Sequence, residues 1–75
     1  MLIAFEITDM ANGEPQYTWV KHGEIHMDDG MSTYAIARRI KRELGWHGLK
    51  CLNTTLDGRI EIRPYGGNQM AIAFI

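Results

Sequence analysis

Apolar and polar side chains alternate from the start of the chain. Ile3, Phe5 and Ile7 fall on one parity and Glu6 and Thr8 on the other, the period of a half-buried strand over residues 2–9. Asn12-Gly13 follows, two residues that tolerate positive φ, so a hairpin reversal is predicted there, with Pro15 resetting the chain. The second strand is predicted over residues 16–27, with Tyr17, Trp19, Ile25 and Met27 in phase. Gly23 beside the polar His22 predicts a bulge or break in its middle.

The period then changes from two to 3.6. Asp28-Asp29-Gly30 ends the strand and Ser32 is a good N-cap for a helix over Thr33 to Leu44, with the two aspartates near the positive end of its dipole. Thr33, Ile36, Ala37, Ile40 and Leu44 cluster within about 100° of arc and form the face that would lie on a sheet. The outer face carries Tyr34, Ala35, Arg38, Arg39, Lys41 and Arg42. Gly45 is the expected left-handed residue after the helix, and Trp46 is placed to fold back on Ile40.

From Leu49 the pattern is β again: residues 49–56, an Asp57-Gly58 turn, residues 59–65, a Gly66-Gly67-Asn68-Gln69 reversal and a last strand over 70–75. Ile60 and Ile62 alternate with Arg59, Glu61 and Arg63, whereas Met70 to Ile75 is apolar throughout, so both faces of that strand are expected to be covered. Ala71 and Ala73 leave room there for a helix or a second subunit. The reading is a single α+β domain over residues 1–75, in ββαβββ order, with an antiparallel sheet of four to five strands and one helix packed on one face. Strand order does not follow from the pattern. The sheet's second face is left open, which allows a homodimer.

Charge changes this picture more than composition does. Residues 1–30 hold six acidic side chains and one lysine, while residues 31–75 hold seven basic and three acidic ones. A net charge of −1 therefore hides a part near −5 and a part near +4. Arg38, Arg39, Lys41 and Arg42 fall within five residues of the predicted helix, a concentrated positive field suited to phosphates or an acidic protein surface. The same residues also read as a solvated face that complements the helix's own C-terminal dipole. Tyr34, on that face, and Tyr65, at a strand end, are the aromatics free to stack on bases. Asp28 and Asp29, with Glu6, Asp9, Glu14 and Glu24, are the acidic alternative: they imitate phosphates for a basic groove, or serve as turn formers and edge protectors.

Catalysis, metals and cofactors find little footing. No nucleophile elbow, P-loop or dinucleotide fingerprint is present, and Gly66-Gly67 opens onto a strand. Asp57, Glu61 and Arg63 loosely follow a nuclease carboxylate pattern, but arginine stands where that pattern has lysine. His22 and His26, four apart on a strand, lie roughly 13 Å from each other, too far to share a metal. His47 and Cys51 make only two ligands. The single Cys51 reads as a small inert thiol, and a reducing cytoplasm is the simplest setting. No leader pattern or membrane span is expected. The expectation is a binding protein, not an enzyme, with no cofactor.

The helix ending Arg38-Arg39-Ile40-Lys41-Arg42-Glu43-Leu44-Gly45, then Gly48, then the terminal hairpin with Arg63-Pro64-Tyr65-Gly66, resembles in size and organisation the small α+β proteins encoded by bacteriophages and other mobile elements. That group includes type I anti-CRISPR proteins. The resemblance implies an inhibitor or adaptor that docks on a host nucleic-acid-handling complex through charged contacts. It carries over no individual site residue. Direct binding of DNA or RNA by the basic helix, and self-assembly through the apolar last strand, are the two alternatives. Double-stranded RNA-binding domains differ in order, α-β-β-β-α, and end in a helix where this chain ends in a strand.

Overall fold

Two pairs of left-handed residues set the hairpins. A computed structural model describes residues 1–75, and in it Asn12 and Gly13 take φ of 53° and 79°, and Asp57 and Gly58 take 49° and 77°. Paired positive φ gives a two-residue turn whose twist matches the flanking strands. The first turn joins β1 (Leu2–Ala11) to β2 (Glu14–His26), and the second joins β3 (Cys51–Leu56) to β4 (Arg59–Pro64). The helix α1 (Thr33–Glu43) lies between the two hairpins in sequence, and β5 (Gln69–Phe74) ends the series. The strands form one antiparallel sheet in the order β2-β1-β5-β4-β3, so the last strand is central. β3 begins at Cys51, two residues later than the pattern predicts, because the Leu49 N–H is bonded to the Trp46 carbonyl in a turn.

Register places the apolar residues together. Ile3 faces Ile25, Phe5 faces Ala73, Ala73 faces Ile60, and Ile7, Ala71 and Ile62 make the next row. Ile36, Ala37 and Ile40 of α1 belong to one buried cluster with Ile3, Phe5, Ile25, Ile60, Ile62, Ala71 and Ala73. Each isoleucine fully removed from water there contributes about 2 kcal/mol. Ala71 and Ala73 are wholly buried in this cluster and so offer no surface to a second chain.

The helix ends follow local chemistry. Ser32 is in extended conformation and its hydroxyl accepts the Ala35 N–H at 3.1 Å. At the other end Gly45 takes φ 74°, its N–H bonds the Arg42 carbonyl, and the Trp46 N–H bonds the Lys41 carbonyl at 2.7 Å. This Schellman stop satisfies two orphan carbonyls and turns Trp46 back against the buried cluster.

The irregularity predicted at Gly23 lies elsewhere. Pairing runs unbroken from Leu2–His26 to Thr8–Val20 and shifts only between Thr8 and Met10. Gly23 is required because the Phe5 ring of the neighbouring strand lies over it. At the true shift Tyr17 takes φ 56°, its N–H donates to the Thr8 hydroxyl at 3.1 Å, and the Asp9 carboxylate accepts from the Thr18 N–H at 3.1 Å and from the Thr18 hydroxyl. The bulge lies beyond Val20, so Trp19 stays on the side of Ile7 and Trp46 while Tyr17 takes positive φ, and both are exposed.

Hydrogen bonding from the Thr18 hydroxyl holds the Asp9 carboxyl below its ordinary 3.8, against a smaller opposing contribution from desolvation. A depressed folded-state value stabilises the fold above pH 3.8, and that contribution is lost as pH falls through the lower folded value. Thr18→Val is therefore expected to lower the melting temperature at neutral pH, with the gap to the parent closing in acid. Melting curves across pH check this, and a gap independent of pH would contradict it.

Candidate partner-binding surface

Helical spacing puts residues three and four apart on one stripe, and the Schellman stop brings the following turn back beside it. Arg38, Lys41, Arg42 and His47 consequently line one hollow of about 80 Å³ in which every wall is a basic side chain. No carboxylate lies within ion-pair distance of Arg38, Lys41 or Arg42. The Arg38 guanidinium stands 5.7 Å from the centre of the Tyr34 ring, one turn earlier, which holds the arginine by cation–π attraction. Three cations gathered without a counter-charge repel one another, and an anion seated among them relieves that repulsion. Guanidinium groups also offer it paired N–H donors.

Arg39 shares a second hollow with Arg38 and Arg42, lined also by Met27 and Ala35. Its Nε donates to Glu43 Oε1 at 3.0 Å, and it lines a further hollow with His26, Met27, Asp28 and Met31. Asp28 thus lies near Arg39, while Asp29 sits 3.2 Å from the amino group of Met1. The two aspartates do not join the hollow of Arg38 and Arg42. Tyr65 is exposed on the β4–β5 turn, at a strand end as its sequence position suggests.

Glu6, Asp9 and Glu61 have structural partners. Glu6 lies 3.7 Å from His22 across β1 and β2, and Asp9 anchors the bulge. Glu61 is 8% exposed and is gripped from both sides, by Arg59 Nε at 3.2 Å and an Arg63 terminal nitrogen at 2.6 Å. In the loose nuclease pattern both Glu61 oxygens are therefore taken up by arginines, and Asp57 is a left-handed turn residue. No three His, Cys, Asp or Glu side chains gather as a metal site would need. No helix is long and apolar enough to cross a membrane.

Sequence reasoning missed two features. His47 completes the basic hollow, and the signal for it was its place just beyond the Schellman stop. Trp19 and Trp46, assigned to core packing and to the helix stop, also share a groove of about 660 Å³ with Ile7 and Leu44, rimmed by Lys21 and Glu43. Only the pairing of β1 with β2 and the packing of Trp46 bring the two rings together, so no local motif marks them. No family model, curated protein or solved structure matches this chain.

Proposed function

We propose that the chain is a non-enzymatic binding protein with α1 laid across one face of its sheet, presenting the outer side of that helix to a partner rich in phosphate or carboxylate groups. In the cytoplasm of a bacterial host, the partner is a nucleic-acid-handling protein complex, and the chain acts as an inhibitor or adaptor encoded by a phage or other mobile element. The observation that carries the reading is the hollow of Arg38, Lys41, Arg42 and His47, walled by basic groups and without an acidic neighbour. The phage setting rests on the resemblance in size and organisation. Tyr34 fits the same face, since its ring both steadies Arg38 and is open to contact.

The test is capture of partners by tagged protein from a nuclease-treated bacterial lysate, beside the Arg38→Glu, Arg42→Glu double variant. Both side chains point away from the buried cluster, so the variant is expected to keep its melting temperature and lose its specific partner. Retained capture would remove the basic face from the reading. Direct DNA or RNA binding by the same residues is the second reading, supported by the same unpaired cations. It predicts binding by the purified protein with a log–log salt slope of about −3 on duplex DNA, and complete loss of captured material after nuclease.

A further inference from the structure

The two edges of the sheet are built differently. The outer strand β2 carries Pro15, a left-handed Tyr17, a register shift and the charges of Glu14, Lys21 and Glu24, the devices that keep an edge from pairing with another chain. The opposite edge, β3, has none of them. Its sequence Cys51-Leu52-Asn53-Thr54-Thr55-Leu56 is uncharged and free of proline, and it pairs with β4 without a shift. Leu52 and Leu56 are 47% and 51% exposed.

We infer that β3 is the seam of a homodimer, pairing antiparallel with β3 of a second copy about a two-fold axis through Thr54. The backbone directions require a specific parity. The Lys50 carbonyl accepts the Tyr65 N–H at 2.9 Å, so even-numbered residues of β3 address β4 and the N–H and C=O groups of Asn53 and Thr55 point outward. An axis at Thr54 sets Asn53 opposite the second copy's Thr55, and the reverse, which satisfies four outward donors and four acceptors between the two strands.

Side chains select the same register. Cys51 packs toward the buried cluster, so Leu52, Thr54 and Leu56 lie on the other face by alternation. With the axis at Thr54, Leu52 lies opposite the second copy's Leu56, and Thr54 lies opposite Thr54. These are the non-hydrogen-bonded positions, where Cα atoms approach to about 4.5 Å and side chains touch most closely. Lys50 comes beside the second copy's Asp57 turn, so opposite charges meet at both ends. A shift of two residues one way sets Leu52 against Thr54 and Leu56 against Lys50; the other way it leaves Leu52 facing Gly58. Only the register centred on Thr54 sets both leucines of each strand opposite leucine.

Five residues per strand make a small interface, so dissociation is expected at about 10–100 µM. Sedimentation equilibrium from about 5 µM to 1 mM should show the mass rising from one chain toward two. Thr54→Lys places two ammonium groups against each other on the axis and should weaken association at least tenfold with unchanged melting. In a Cys51→Ala background, Thr54→Cys should form a covalent dimer on mild oxidation, because position 54 faces itself, whereas Asn53→Cys should not. A parent chain that stays monomeric at 1 mM, or equal cross-linking from positions 53 and 54, would overturn the inference. If Thr54→Lys fails to fold, the cysteine pair still decides.

Discussion

Gly23→Val is expected to lower the melting temperature by about 15 °C, corresponding to about 3 kcal/mol for a domain of this size. A Cβ at position 23 would lie 2.3 Å from Phe5 Cζ, with two more ring carbons within 2.9 Å. Phe5 is 7% exposed and packed in the buried cluster, so displacing its ring disturbs the neighbours it touches. Gly23→Ala should cost less, since part of the strain is offset by the smaller entropy of the unfolded chain. Combining Gly23→Ala with Phe5→Leu should recover much of the loss attributable to the clash, and Gly48→Ala, where nothing lies within 4 Å, should be nearly neutral. Thermal melts of these four variants and of Phe5→Leu alone test this. Additive effects of Gly23→Ala and Phe5→Leu would show that the ring and the glycine are not coupled.

Glu61→Ala is expected to destabilise by about 2–3 kcal/mol. Its carboxylate, almost wholly buried on the sheet, joins Arg59 and Arg63, and Arg63 Nε is already a buried donor without a partner. Removing the carboxylate leaves a partly buried guanidinium uncompensated beside a second one. Replacing both partners, Glu61→Leu with Arg63→Met, should restore most of the stability, since apolar groups of similar volume carry no desolvation cost. Denaturant unfolding measures both. A double variant as unstable as the single one would mean that packing, not charge, sets the loss.

These two residues also show where sequence legibility ended. The turns at Asn12-Gly13 and Asp57-Gly58, the Ser32 cap and the Gly45-Trp46 stop were readable because each depends on residues adjacent in sequence. Gly23 was read as a bulge because a glycine in a strand usually marks one; its actual cause, the Phe5 ring, sits 18 residues away across a strand pair. The bulge at Tyr17 carried no signal, since a tyrosine at positive φ is held there by Thr8 and Asp9, not by its own preference. In the basic face, the spacing of Arg38 and Arg42 was legible. The pairing of Arg39 with Glu43 and the arrival of His47 beside Arg38 and Arg42 depend on side-chain geometry and chain reversal. Asp28 and Asp29, the acidic alternative, stand outside the basic hollow, Asp28 lining one with Arg39 and Asp29 meeting the Met1 amino group.

The central place of β5 governs how the molecule can assemble in time. The β1–β2 and β3–β4 hairpins are local and can form within microseconds, but neither completes the buried cluster until β1 meets β5, which follows it by nearly the whole length of the chain. Closing so distant a pair is the entropically costly step, and the burial it brings arrives all at once. A chain interrupted before Gln69 would leave β1 and β4 as two bare edges, with no smaller folded state beneath the complete one.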